Sequence, residues 1–198
     1  PPLAEATPWS VLVELSDTLA DGGLDALLAR ELSAAMDAGL VSDAALARSV
    51  AETNALWALR ENISEAQRIE GISIKHDISV PVGRIPEFLA RAEQALNSAW
   101  PGLRIVAFGH IGDGNLHYNL SKPLADDNAA FIARTAEANR IVHDLVAALG
   151  GSISAEHGLG QLKREEVLNY KSAVEMEMMR AIKRTLDPAG LMNPGKVL

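Results

Sequence analysis

The segment from Leu103 to Leu120 constrains the fold most, because two runs of strand-forming residues flank a Gly-Asp-Gly-Asn sequence typical of a hairpin turn. A two-residue turn at Asp113-Gly114, or a four-residue loop centred on it, pairs position 110 with position 117. His110 and His117 are therefore predicted to lie opposite each other on one face of the hairpin. Two imidazoles so placed can bind one divalent metal ion. The alternative is a glycine-rich hairpin with two structural histidines.

Three further residues add to this candidate site. Asn119 follows His117 by two positions, so the alternation of a strand places it on the same face. Glu156 can complete a site of two histidines and one carboxylate with room for a substrate, which is the arrangement of catalytic zinc. His157 can then act as a base, because neutral imidazole accepts a proton near pH 7. The alternative for Glu156 and His157 is a solvent-facing pair in a loop.

A third set of candidate residues is cationic and precedes the hairpin. Arg60 and Ser64 are four positions apart, which predicts that they share a helical face. Lys75 lies on the strand that follows, with Asp77 on the same side. Arg60 and Lys75 can clamp a substrate carboxylate, because guanidinium binds carboxylates with two parallel hydrogen bonds. The alternative is that both are ordinary solvated surface residues.

Hydrophobic periodicity along the chain predicts alternating strands and helices. The predicted helices cover residues 25–38, 52–64, 86–100, 126–149 and 172–186. The predicted strands lie at 9–16, within 40–47, at 72–82, and on both sides of the hairpin turn. His76 and His143 are predicted to be structural, since one points away from Lys75 and the other lies in an amphipathic helix. The pattern indicates an α+β fold, with an antiparallel sheet covered by helices on one face, as one compact unit.

Composition excludes several classes of function. The chain has no cysteine, which excludes disulfides, cysteine zinc fingers, iron–sulfur clusters and thiol nucleophiles. Its 26 acidic and 18 basic residues give a net charge of −8, which argues against non-specific nucleic-acid binding. No apolar run reaches the roughly 18 residues that a membrane span needs. The chain begins Pro1-Pro2, so we expect a processed product or an excised piece of a longer protein.

Three stretches together, at 109–119, 154–160 and 186–196, resemble the C-terminal domain of the FAD-linked oxidases. They are Gly-His-Ile-Gly-Asp-Gly-Asn-Leu-His-Tyr-Asn, Ser-Ala-Glu-His-Gly-Leu-Gly and Leu-Asp-Pro-Ala-Gly-Leu-Met-Asn-Pro-Gly-Lys. This family has the two-domain flavin fold of vanillyl-alcohol oxidase, and its most similar members are the D-2-hydroxyglutarate and D-lactate dehydrogenases. The resemblance covers almost the whole of residues 1–198 and implies a ferredoxin-like substrate or cap domain.

The resemblance also implies a role for each candidate residue. The implied metal ligands are His110, His117 and Glu156, and the implied catalytic base is His157. The implied substrate-binding residues are Arg60, Ser64, Lys75 and Asn119. The implied metal is zinc, with iron or manganese as alternatives. Ser64 departs from the family pattern, because threonine is expected there in the hydroxyglutarate enzymes.

The implied reaction is oxidation of a D-2-hydroxy acid, of the 2-hydroxyglutarate or lactate type, to the 2-oxo acid with transfer of hydride to FAD. The family's FAD-binding domain lies N-terminal to this region and is expected as a partner in the same polypeptide. By itself the chain is then expected to be inactive and to bind FAD weakly or not at all. The protein is also expected to be cytoplasmic, to be able to form a homodimer and to have no nucleic-acid partner.

Two other functions are compatible with the residues alone. A stand-alone metal-dependent hydrolase can use His110, His117 and Glu156 as ligands and His157 as base, and it predicts hydrolysis without flavin. A non-enzymatic interaction module has structural histidines and predicts no bound divalent metal.

Overall fold

A computed structural model of the chain describes residues 2–3, 5–18, 22–124 and 127–198. Its tertiary contacts separate two compact units, Pro1–Glu70 and Gly71–Leu198. No linker composition in the sequence predicts a boundary at this point.

The first unit is helical in the part that the structure describes. Its helices are α1 (Leu24–Asp37), α2 (Val50–Glu61) and α3 (Ile63–Glu70). The Ser49 side chain caps α2 by accepting the N–H of Glu52, which satisfies one of the N–H groups left over at a helix start. The predicted helix at 25–38 is confirmed, whereas the one predicted at 52–64 starts earlier and continues as two consecutive helices.

The strands predicted at 9–16 and within 40–47 are wrong, because neither segment forms a strand in the structure. The large apolar side chains of the first segment, such as those of Trp9, Val11 and Val13, are exposed. One contact between this segment and α2 is the hydrogen bond that the indole N–H of Trp57 donates to Glu14 at 2.5 Å. A strand-like pattern forms a strand only where a neighbouring strand can pair its backbone N–H and C=O groups.

The second unit contains an antiparallel sheet built around one central strand. The strands are β1 (Ser73–Ile74), β2 (Asp77–Ser79), β3 (Arg104–His110) and β4 (Asn115–Ser121). The central β4 pairs with β3 along one edge and with β1 and β2 along the other. The two short strands share one register against β4, so the strand predicted at 72–82 is one strand with an interruption.

Among its described residues, the second unit has four α-helices. They are α4 (Ile85–Ala99), α5 (Asn128–Ala133), α6 (Thr135–Ala148) and α7 (Ala173–Leu186). The predicted helices at 86–100 and 172–186 are confirmed. The one predicted at 126–149 forms two helices separated at Arg134, and its first residue lies outside the described part of the chain. None of the described helices has the length and apolar character needed to cross a membrane.

Strand β4 separates the core of the second unit from a polar face. Its residues Leu116, Tyr118 and Leu120 are buried in the apolar core together with side chains of α4 and α6. The Tyr118 ring packs against Phe88 of α4 with centroids 5.2 Å apart. The alternate residues of β4 point to the opposite face, as strand geometry requires. The α+β class with helices on one face of an antiparallel sheet is therefore confirmed.

Two buried histidines lie on the core side of the sheet. His76 donates from Nδ1 to the carbonyl oxygen of Tyr118 at 2.9 Å, and its Nε2 lies 3.0 Å from the side-chain amide of Asn139. His143 of α6 contacts the His76 ring edge-on and lies 2.6 Å from Glu166. Burial lowers the pKa of His76 to about 4, because the interior disfavours the charged imidazolium. Both histidines are thus structural, as the sequence predicts.

The depressed pKa of His76 predicts how stability changes with pH. Between the unperturbed pKa of 6.5 and the folded value of about 4, the unfolded chain binds more protons than the folded chain. The free energy of unfolding therefore falls as the pH is lowered through this window, by at most about 1.4 kcal/mol per pH unit from this group. The variant His76→Gln should be less stable near neutral pH and should show a shallower fall. Urea denaturation at several pH values checks this, and equal slopes for both proteins would contradict it.

Candidate metal centre

The hairpin between β3 and β4 has a different register from the predicted one. Its loop consists of the four residues 111–114, so His110 pairs with Asn115 and Phe108 pairs with His117. The prediction that His110 lies directly opposite His117 is therefore wrong by two positions. Because side chains alternate with a period of two, an even shift leaves both histidines on the same face. They are diagonal neighbours instead of a directly opposed pair.

Contacts with the end of β2 explain why the loop takes four residues. The Gly114 carbonyl accepts the N–H of Val80 at 3.1 Å, and the Asp113 side chain accepts the N–H of Asn115 at 3.0 Å. Gly114 has a φ of 76°, and a Cβ atom on it would lie 2.0 Å from the Val80 carbonyl oxygen. Only glycine combines this backbone conformation with so close an approach. The loop is thus fixed by a tertiary contact, which a local turn rule does not include.

A second loop reaches the same side of the sheet from α6. The helix ends in a Schellman motif, in which Gly150 has a φ of 76° and the Gly151 N–H donates to Val146. The chain then forms a two-way backbone bridge between Ser152 and Ser79 of β2, with N···O distances of 2.8 and 3.0 Å. This bridge places the residues that follow, including the predicted Glu-His pair, beside β2.

The Asp77 carboxylate joins β2 to this second loop. Asp77 is 3% exposed, and its Oδ2 accepts the backbone N–H groups of Ala155, Glu156 and His157 at 3.1, 2.9 and 2.8 Å. Its Oδ1 lies 3.3 Å from the donating amide of Asn115. Burial alone would raise the pKa of the Asp77 carboxyl, but the three N–H groups and the charge of His157 outweigh it and hold this pKa below its usual value.

Four of the predicted site residues converge above Asp77. Glu156 lies 3.3 Å from Nδ1 of His110 through one oxygen and 3.4 Å from Nε2 of His117 through the other. Asp77 lies 3.8 Å from Nδ1 of His117 and 3.9 Å from Nδ1 of His157. His117 is mostly buried, whereas the His157 side chain is 67% exposed. The side of the centre that contains Asp77 and His117 is therefore buried, whereas the side that contains His157 is accessible to solvent.

This arrangement supplies the donor atoms of a metal site. One ligand atom from each of Asp77, His117, Glu156 and His157 lies within 4.8 Å of the others. His110 is outside this mutually close group but reaches it through Glu156. Imidazole nitrogens and carboxylate oxygens are the ligands that suit zinc, iron or manganese. The residues present therefore fit a divalent transition metal.

The four predicted substrate residues lie in different parts of the chain. Asn119 is buried on β4, on the same face as His117. Lys75 is exposed in the interruption between β1 and β2, where the shared register places it across from Asn119. Arg60 belongs to the last turn of α2 and Ser64 to the first turn of α3, so they do not share one uninterrupted helix. Both belong to the first unit, and their roles stay predictions.

For Asp77 the sequence predicts only that it lies on the same side of its strand as Lys75. One local signal could have singled it out, because aspartate is disfavoured inside strands and Asp77 immediately precedes the fully buried Ile78. The three N–H groups that it accepts lie 78 to 80 residues away in the chain. No local pattern predicts a contact at that separation.

The family of the chain follows from comparison with known proteins. A family model described as FAD linked oxidases, C-terminal domain, matches residues 2–197. The chain therefore belongs to this family.

Curated relatives named D-2-hydroxyglutarate dehydrogenase match nearly the whole chain. The protein from Xanthomonas citri pv. viticola is 39% identical over 99% of this chain and 41% of its own length. The protein from Stutzerimonas stutzeri is 40% identical over 99% of this chain and 42% of its own length. A mitochondrial relative from Danio rerio is 34% identical over 100% of this chain and 35% of its own length. The chain thus spans well under half the length of these relatives.

Two glycines of the hairpin loop provide a test of how the histidines are positioned. Gly114→Ala forces a left-handed alanine against the Val80 carbonyl, and we expect it to lower the free energy of unfolding by at least about 2 kcal/mol. Gly112 has open space around its Cβ position and no positive φ, so Gly112→Ala should change stability by less than about 1 kcal/mol. Urea denaturation of both variants measures the difference, and equal effects would contradict the loop geometry.

Proposed function

We propose that this chain is the substrate- and metal-binding part of an FAD-dependent D-2-hydroxy-acid dehydrogenase. The observation that carries the proposal is that the two carboxylate oxygens of Glu156 face His110 and His117, and that His157 belongs to the close group formed with Glu156 and His117. Membership of the FAD linked oxidases supports flavin chemistry for the whole protein. The names of the relatives support a 2-hydroxyglutarate type of substrate, with a lactate type as the alternative.

In this proposal, His110, His117 and Glu156 hold one divalent metal ion, with zinc as the first candidate. Three protein ligands leave a coordination position for a substrate. When bound, the metal supplies positive charge that favours the ionised substrate hydroxyl, and the flavin supplies the acceptor for a hydride. The chain's own contribution is to orient the 2-hydroxy acid and to accept its proton.

His157 is proposed as the base. Its Nδ1 faces the Asp77 carboxylate at 3.9 Å, so Nε2 is the nitrogen that remains for proton transfer. The hydroxyl proton moves to Nε2 while the C2–H bond breaks, and the hydrogen leaves C2 with both electrons as hydride. The C2–O bond becomes a carbonyl, which gives the 2-oxo acid. Protons and electrons balance with one proton on His157 and one hydride on the acceptor.

The substrate carboxylates are proposed to interact with cationic and polar side chains. Lys75 and Asn119 lie across from each other on the sheet face that carries His117, so together they offer one ammonium and one amide group. Arg60 and Ser64 are also proposed to bind the substrate. The flavin is proposed to bind to a further domain of the same polypeptide, in a cytoplasmic protein that can form a homodimer.

The proposed ligands can be tested by metal binding to this chain. His110→Ala and His117→Ala should each lose stoichiometric zinc, because two remaining ligands cannot hold the ion. His143→Gln should retain zinc, since His143 pairs with Glu166 in the core. Zinc content after equilibrium dialysis measures the result, with far-ultraviolet circular dichroism to verify that each variant is folded. Equal zinc content in all three variants would contradict the ligand assignment.

The proposed base can be tested in the full-length protein. His157→Asn should slow flavin reduction by D-2-hydroxyglutarate by about 10²- to 10⁴-fold, because general-base catalysis is lost. Zinc content should be unchanged, since His157 is not one of the proposed ligands. Stopped-flow absorbance of the flavin measures the rate, and an unchanged rate with zinc retained would refute the role of His157. D-lactate as a second substrate distinguishes the two substrate types.

A further inference from the structure

We propose that Asp77 is the positioning residue of the metal centre, and that it sets His117, Glu156 and His157 in place without ligating the metal. The inference rests on the proposed function and deepens it. Asp77 has the lowest exposure among the close group of potential ligands, and it contacts the other three members. This role follows from the hydrogen bonds that its two carboxylate oxygens accept.

The hydrogen bonds of Asp77 argue against direct metal ligation. An ionised carboxylate offers about four acceptor sites. The backbone N–H groups of Ala155, Glu156 and His157 occupy Oδ2, and the Asn115 amide donates to Oδ1. A metal bond to Oδ2 would have to displace one of its three donors and leave it without a partner in a buried place, which is costly. Glu156, by comparison, points its two oxygens at His110 and His117.

The same hydrogen bonds fix the loop that carries two functional side chains. Three consecutive N–H groups converge on one oxygen, as in the anion-binding concavities that successive amides form. These bonds fix the backbone conformation at Glu156 and His157. A second tether lies nearby, because the Lys163 ammonium donates to the Ile153 carbonyl at 2.5 Å. Without the Asp77 carboxylate, the three N–H groups repel one another and the loop loses its main anchor.

Asp77 also faces two of the three histidines of the centre, His117 and His157, at the Nδ1 atom of each ring. Its two oxygens lie 3.8 Å from Nδ1 of His117 and 3.9 Å from Nδ1 of His157. A negative charge on that side favours the proton on Nδ1 in each neutral ring, which leaves Nε2 as the nitrogen with a free lone pair. For His117, Nε2 is the atom that faces Glu156 at 3.4 Å. Glu156 thereby competes for the proton of metal-free His117, whereas a cation bound at Nε2 would leave that proton on Nδ1, where it faces Asp77.

The position of Asp77 in the sheet suits this role. Asp77 and His117 are register partners on adjacent strands, so the distance between them is set by the backbone ladder. A group on a strand is held more precisely than a group on a loop. The loop at 155–157 therefore takes its position from β2 through Asp77.

Zinc affinity of this chain provides the first test. Asp77→Asn keeps the size of the side chain but replaces an acceptor oxygen with a donor, and we expect zinc affinity to fall about 10- to 100-fold. The matched control is Asp187→Asn, because Asp187 is also buried and accepts two backbone N–H groups, from Leu191 and Met192. Competition with a chelator measures the affinity. If both variants lose stability but neither loses affinity, Asp77 is only structural and the proposal fails.

The tautomers of the histidine rings provide a second test that needs no metal. In the metal-free chain, long-range ¹H–¹⁵N spectra should show His157 protonated at Nδ1, and Asp77→Asn should change this signature while Asp187→Asn does not. If the wild-type chain binds no zinc, the proposed metal site fails, and the ring spectra still decide the role of Asp77. Identical ring spectra in wild type and Asp77→Asn would overturn the positioning role even if zinc binds.

Discussion

The pairing of β4 on both of its edges is the constraint on which the second unit depends. With β3 on one side and β1 and β2 on the other, every side chain of β4 is committed to one of two faces. Leu116, Tyr118 and Leu120 enter the apolar core, and the residues between them form a polar face. Because β4 carries core side chains on one face and side chains of the centre on the other, packing of the core fixes the orientation of the centre.

Much of the centre could be predicted because its key relations are local. His110 and His117 belong to one hairpin, and the even difference between the predicted and observed registers keeps them on one face. The helices α4 and α7 begin with local signals, which are proline in the first turn of α4 and a capping box at Ser172 in α7. Such signals act within a few residues, where sequence patterns are informative.

The features that the sequence does not predict depend on contacts between distant parts of the chain. The loop of the hairpin takes its length from Val80, and the Glu156–His157 loop takes its shape from Asp77. The segment at 9–16 has a strand-like pattern but finds no partner strand among the described residues. A pattern along the chain gives the tendency of a segment, whereas its final structure depends on which neighbour satisfies its backbone.

The centre draws its groups from three separate stretches, which are β2, the hairpin and the loop after α6. A cation held by such groups is a cross-link that exists only in the folded chain. Its binding and the folding of the chain are then coupled equilibria, so a free concentration 100 times the dissociation constant would add about 2.7 kcal/mol to the free energy of unfolding. A supply of the proposed metal would in this way raise the fraction of the chain that is folded.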